Sequence, residues 1–333
     1  MTQSDEVLRQ ADVTNEFDSW SALKLILHSA AVNMYTTVLG NNSNFEDLYY
    51  IDALAGSGVS MFDDGQAFLG SPIVAARAAR SPFKKMYFIE LEDEKAEALR
   101  TRLEFVFSSS DFDIKEPDDW EVHTGDANDQ IPKIVREIFD NSSGSRGFNY
   151  YCFIDNQGLN VTWDTIEELT PKPYGDLLIN LPTASGIGRN AVPSNIRSLN
   201  DFYGRDLTDI DLPNKNRREY MRDLYLKQLK EQNRSVQCST RIDANIGSYF
   251  YDLVYATRDI DGGNGYMKVI EYVKEFIEAV HAGDVDRELE IITGGQERLQ
   301  AFAPENEDVG EQIPTNDPND EVPDNQSGLD DFW

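Results

Sequence analysis

The chain has 333 residues, 30 basic against 60 acidic side chains, a formal charge of −30, and 40% apolar residues including 17 phenylalanines. That supports the core of one large α/β domain or two ordinary ones, and no apolar run nears the roughly 20 residues needed to cross a bilayer. A surface this acidic repels DNA at low salt. At about 1 M salt, where the Debye length is only about 3 Å, the acidity reads as adaptation to a salt-rich cytoplasm.

The first twelve residues are polar and acidic, so the basic and apolar parts of a signal peptide are missing. A cytoplasmic protein without a membrane partner is expected. Cys152 and Cys238 have no metal-ligand spacing and read as reduced structural cysteines. Residues 1–15 are expected to be flexible. From Phe17 to Leu39 apolar residues recur at helical spacing with Gly40 as a stop, and His28 within that helix reads as structural.

Leu48–Ile51 is an apolar, aromatic and β-branched run that ends in Asp52, followed by Ala53-Leu54-Ala55-Gly56-Ser57-Gly58. It reads as a buried strand and a glycine turn able to adopt positive φ beside a ligand. A long loop, Val59–Leu69, leads to Gly70-Ser71-Pro72. There Ser71 is expected to cap a helix running to Arg80, with Pro72 at its first position.

Lys85–Leu91 is a second strand whose terminal Glu90 could accept bonds from both ribose hydroxyls of a nucleoside. A helix over Glu92–Phe107, a strand from Trp120 into Gly125-Asp126-Ala127-Asn128, and a helix over Ile131–Phe139 follow. Tyr150–Ile154 leads into Asp155-Asn156-Gln157-Gly158, Trp163–Leu169 is helical, and Asp176–Leu181 is a fifth strand. Alternation of this kind predicts a mostly parallel sheet with helices on both faces.

Residues 184–235 break the alternation and are expected to form a helical insertion. Its Asn214–Glu231 helix is locally basic, with Lys215, Arg217, Arg218 and Arg222 as a contact for nucleic-acid phosphates or an acidic partner, or as a solvated face. Val236–Arg241 and Ser248–Thr257 should close the sheet as an antiparallel edge pair, giving seven strands. Gly265–Ala282 reads as a last amphipathic helix.

The order of these features resembles the Rossmann-like S-adenosylmethionine-dependent methyltransferases. Several segments are similar, more narrowly, to the three-Cys-motif partner family, here of a haloarchaeal type: Tyr50–Gly58, Gly70-Ser71-Pro72, Phe88-Ile89-Glu90, Gly125–Asn128, Phe153-Ile154-Asp155 with Gly158-Leu159, and Tyr251–Thr257. The resemblance spans roughly residues 20 to 280, within a domain of 16–303. It implies S-adenosylmethionine as cofactor, with Gly56 and Gly58 against its methionine part, Glu90 on the ribose, Asp126 near the adenine, Asp52 and Ala127 also at the cofactor, and Asp155 closest to the transferred methyl. It also implies a neighbouring three-Cys-motif protein as a partner.

The turn after the fourth strand lacks the Pro-Pro-aromatic run with which DNA amino-methylating enzymes hold a flipped base. A non-catalytic binding module is therefore a second reading. A nicotinamide oxidoreductase is disfavoured because the third glycine of the dinucleotide fingerprint is missing.

Residues 304–333 carry acidic side chains and no Lys or Arg, and are expected to be disordered. The last eight, Gln326-Ser327-Gly328-Leu329-Asp330-Asp331-Phe332-Trp333, match the sliding-clamp (PCNA) peptide pattern. Gln326 would fill a polar pocket and Leu329, Phe332 and Trp333 an apolar one.

Overall fold

The structure, a computed structural model, describes residues 3–16, 22–42, 44–61, 67–110, 112, 114–142, 147–170, 174–187, 196–207, 216–243 and 250–258, with 267–268, 270–271 and 274–275. Most of the expected Gly265–Ala282 helix, Lys215, and the clamp-like peptide Gln326–Trp333 lie outside these residues.

Where the sequence suggests a loose N-terminus, α1 (Gln3–Leu8) is helical with Val7 fully buried, and β1 (Asn15–Glu16) is paired. Helix α2 (Ala22–Gly40) is buried around most of its circumference, as a helix lodged in a core must be. Then come β2 (Asp47–Asp52), β3 (Val59–Met61), β4 (Ala67–Leu69) and α3 (Ser71–Ala78). The expected loop over Val59–Leu69 thus contains an antiparallel strand pair, with β1 added parallel to β3.

The remaining elements follow the expected alternation: β5 (Lys85–Glu90), α4 (Asp93–Ser108), β6 (Trp120–Thr124), α5 (Ala127–Asn141), β7 (Phe148–Ile154), α6 (Trp163–Glu168) and β8 (Asp176–Leu181). A π-helical turn, Thr183–Ile187, and α7 (Ile196–Tyr203) lead to α8 (Arg217–Glu231), β9 (Val236–Asp243) and β10 (Phe250–Thr257).

Among the described residues the main sheet has seven strands in the order β6-β5-β2-β7-β8-β10-β9. Its first five strands are parallel; β10 runs antiparallel to both β8 and β9. One face packs Tyr50, Phe88, Tyr151, Phe153 and Leu178 against α2, α3 and α4. The other packs Ile51, Ile89, Cys152, Ile154 and Ile179 against α5, α6, α7 and α8. Each large apolar side chain so enclosed is worth about 1.5–3 kcal/mol. No helix among the described residues is long and apolar enough to cross a membrane.

Candidate functional site at the mouth of the sheet

In a strand every second side chain falls on one face. On β2, Leu48 and Tyr50 face α2, and Asp52 follows in phase. On β5, Met86 and Phe88 are followed by Glu90, and on β8 Leu178 is followed by Asn180. Asp155, the residue after β7, continues the phase of Tyr151 and Phe153. Because β5, β2, β7 and β8 are successive neighbours, Glu90, Asp52, Asp155 and Asn180 form a row. Each stands at the carboxyl end of one of four adjacent parallel strands. The strand order reverses between β2 and β7, and ligands of open α/β sheets bind beyond the carboxyl ends at that point.

Helix α2 sends two polar groups into this row. Lys24 and His28, four residues apart, share a helix face. The Lys24 ammonium donates to both oxygens of Asp155, at 2.8 and 2.7 Å, with the two side chains only 5% and 14% exposed. Asn180 Nδ2 donates to Asp155 Oδ1 at 2.9 Å and to the Asn156 carbonyl at 2.9 Å. Asn156 Nδ2 donates in return to the Asn180 carbonyl at 3.3 Å. Removing one partner from a pair this enclosed costs about 3–5 kcal/mol, because the other charge stays buried.

His28 is wholly buried, stacked on Phe153 at 4.1 Å between ring centres. Its two ring nitrogens lie 3.1 Å from the hydroxyls of Tyr50 and Tyr151. The Tyr50 hydroxyl donates to Asp52 Oδ2 at 3.1 Å, so histidine, tyrosine and aspartate form one chain. Asp52 also accepts from the Ser71 hydroxyl. Burial pushes the Asp52 carboxyl up to about 7 and pulls the His28 imidazole down to about 3. Asp52 Oδ1 also accepts from the Leu54 N–H at 3.4 Å, at the entry to the glycine turn. Ser71 is the first residue of α3 rather than its cap: Gly70 occupies the cap position, Pro72 follows Ser71, and the Ser71 hydroxyl is used on Asp52.

The glycine turn is built as its composition requires. Gly56 and Gly58 have φ of +65° and +80°, in the region that favours glycine. Glu90 Oε2 accepts from the Gly56 N–H at 2.9 Å, and Oε1 from the Glu92 N–H at 2.8 Å. The Ser57 N–H is held by Asn15 Oδ1 at 3.2 Å. Arg102, fully buried, donates to the Ser57 carbonyl at 2.7 Å and to the Ala11 carbonyl at 2.9 Å, tying the N-terminal segment to the turn.

Glu90 and the glycines are thus brought together. Asp126 is used differently: it caps α5, its Oδ1 accepting from the Asn128 N–H and side-chain amide at 2.8 and 2.9 Å. Ala127 opens that helix. On α8, Arg222 pairs with Asp223 at 2.8 Å and reaches the buried Asp252 at 3.6 Å, and Arg218 lies over the Phe250 ring. Arg222 is therefore engaged within the protein, while Arg217 opens the helix. Among the described residues no cluster of His, Cys, Asp and Glu could hold a metal ion, and both cysteines are buried.

Lys24, Asn180 and Leu91 are additions to the sequence reading. Lys24 is the one charged residue in the otherwise apolar run Ala22–Leu27, a signal that was available. Asn180 is a polar residue in phase with the α2-facing side of an apolar strand. Leu91, beside Glu90, is 64% exposed, and only the fold reveals that.

No family model and no curated protein matches the chain. Similarities to solved structures are distant. Trm1 from Pyrococcus horikoshii, solved with S-adenosyl-L-methionine, is 12% identical over 77% of this chain and 60% of its own, with a TM-score of 0.41. The O-methyltransferase TomG from Streptomyces achromogenes, solved with SAM, is 15% identical over 77% of this chain and 100% of its own, at 0.37. An O-methyltransferase from Bacillus cereus, in complex with SAH, is 17% identical over 76% and 96%, at 0.33. Likeness at this level carries no argument by itself. The class, a doubly wound α/β protein with a polar row at its switch point, rests on the strand order and the residues above.

Proposed function

We propose that the chain binds S-adenosylmethionine at the mouth of the sheet and transfers its methyl group. The observation that carries this reading is the Glu90 carboxylate, at the end of β5, facing the left-handed Gly56 turn of the neighbouring β2. Each Glu90 oxygen takes one backbone N–H and keeps a further lone pair, which suits the ribose hydroxyls. The exposed Leu91 offers an apolar surface to a purine, with Asp126 and Ala127 on the same flank. Gly56 and Gly58 allow backbone to approach the methionine portion.

Bound there, the cofactor would supply an electrophilic methyl on a sulfonium. Lys24 fixes both Asp155 oxygens, so Asp155 acts by orienting an acceptor, and alignment supplies much of the rate. Calorimetry in molar potassium chloride should detect S-adenosylmethionine and S-adenosylhomocysteine, with Glu90→Ala weakening both at least tenfold. Absence of binding to the unaltered protein would overturn the reading.

One observation favours a second reading, a methyltransferase-like module without chemistry: the ion pair engages the very carboxylate nearest the proposed reaction centre. An Asp155→Asn variant that retains full cellular activity would select it. The finer assignments, kinship with three-Cys-motif partner proteins and work near DNA, are supported by the quoted segments and by Gln326, Leu329, Phe332 and Trp333. Deleting Gln326–Trp333 should abolish capture by immobilised sliding clamp; unchanged capture would reject clamp docking.

A further inference from the structure

Three consecutive peptide groups of the glycine turn are each held by one side chain, and the three side chains come from different parts of the sequence. The Gly56 N–H is taken by Glu90 at the end of β5, the Ser57 N–H by Asn15 of β1, and the Ser57 carbonyl by Arg102 of α4. The Asn15 amide has one usable orientation, since turning it over would set a nitrogen donor against the Ser57 N–H. Its side chain also lies across the open face of Gly56, where any Cβ would run into it. One use of the missing side chain at Gly56 is thus to admit Asn15.

Asn15 does not reach the turn unaided. β1 is two residues long, with Asn15 opposite Ser60 and Glu16 opposite Met61, which is shorter than strands usually are. What holds it is the segment before it. Helix α1 lies against α4 and β4 with Val7 wholly enclosed, and Arg102 bridges the Ala11 and Ser57 carbonyls. Residues 3–16 therefore form a strap pinned at Val7, Ala11 and Asn15, and the last two pins meet at Ser57.

This arrangement bears on ligand binding through backbone freedom. Glycines have the widest choice of conformation when released, and a site whose backbone is ordered beforehand does not lose that freedom on binding. A shift of Ser57 would also carry the neighbouring Gly56 N–H off the Glu90 carboxylate. We propose that Asn15 is a positioning residue for the cofactor: by holding the Ser57 N–H it keeps the glycine turn in its binding form, so that docking of the strap and binding of the cofactor favour one another. The proposal rests on the cofactor reading above and deepens it. Asn15 touches no cofactor atom in this scheme and acts through the Gly56–Ser57 peptide. Coupling between two binding events is reciprocal, so what the docked strap adds to cofactor affinity, the cofactor returns to the strap.

The full chain in molar potassium chloride supplies the test. Arg9 is exposed and stands between α1 and Asn15, so tryptic cleavage after it, followed by mass spectrometry, reports undocking of the strap. Saturating S-adenosylhomocysteine should slow that cut about three- to tenfold in the unaltered protein, the worth of about one hydrogen bond, while cleavage of an unstructured reference peptide stays the same. Asn15→Ala should weaken S-adenosylhomocysteine by a factor of the same order and remove most of the protection. Asn15→Asp, which keeps an oxygen on the same N–H, should recover the affinity. A purely structural Asn15 would lower the thermal midpoint on substitution and leave the ligand's protection of the Arg9 bond untouched. Binding without protection in the unaltered protein overturns the proposal and needs no variant, so a misfolded Asn15→Ala does not spoil the test. An Asn15→Ala affinity within about twofold of the unaltered value overturns it as well. S-Adenosylhomocysteine failing to bind the unaltered protein overturns the cofactor reading, and the grip of Asn15 on the turn is then judged by whether Asn15→Ala speeds the Arg9 cut about threefold or more.

Discussion

At the residue scale, two buried titratable groups in one hydrogen-bonded chain pull the pH dependence of stability in opposite directions. Asp52 is raised to about 7 by burial, so the folded state holds its proton more tightly than the unfolded chain does. Its contribution is fully present below about pH 4 and is lost as pH rises through about 7. His28 is lowered to about 3, so its contribution is present above about 6.5 and is lost as pH falls toward 3. Between about pH 4 and 6.5 the two slopes oppose, and the unaltered protein should be nearly flat there with respect to this pair. Asp52→Asn should leave a stability that rises with pH over that range. His28→Phe, which keeps a ring against Phe153, should leave one that falls. Urea midpoints taken at fixed high salt from pH 4 to 7.5 read both; parallel profiles for the two variants would contradict the assignment. Much of this was open to sequence reading, since Asp52 and His28 stand in apolar runs, where polar side chains need partners. The partners themselves were not legible: Tyr50, Tyr151 and Ser71 come from three elements, and only their packing joins them.

At the element scale, the approach between the cap of α3 and the glycine turn is a backbone-to-backbone contact. The Gly70 N–H donates to the Gly58 carbonyl at 2.8 Å, and a Cβ on Gly70 would sit 2.9 Å from the Gly58 carbonyl carbon. Backbone cannot swing aside as a long side chain can. Gly70→Ala should therefore cost about 1–3 kcal/mol, measured by chemical unfolding, although its own φ is ordinary for any residue. An effect below about 0.5 kcal/mol would mean that β3 and β4 yield easily. The strands and helices of the main sheet were legible because each shows its period and its stop residues: β8 and the antiparallel terminal pair follow directly from apolar runs and spacing. The small β1–β3–β4 sheet was not, because three-residue strands carry too little alternation to separate from a loop. The N-terminal helix was hidden for a related reason. Its stability comes from Val7 being buried by distant elements, and nothing in so short and mostly polar a segment announces that.

For the whole molecule, charge dominates. With 60 acidic side chains against 30 basic ones, self-repulsion opposes the compact state until salt screens it. Thermal midpoints should climb steadily as potassium chloride is raised from 0.1 to 2 M, and a flat or falling series would refute adaptation to salt. The order of the sheet has a different kind of consequence. β10 lies between β8 and β9 although it is the last of the three to leave the ribosome. While the polypeptide is being made, β8 must wait with one side bare, its partner still some seventy residues away in synthesis terms. Only when residues 250–257 emerge can they slide into the gap and lock the already finished half to the strand made before them. Strand β10 is thus the keystone of the sheet, and any premature stop ahead of it leaves a chain with an adhesive edge.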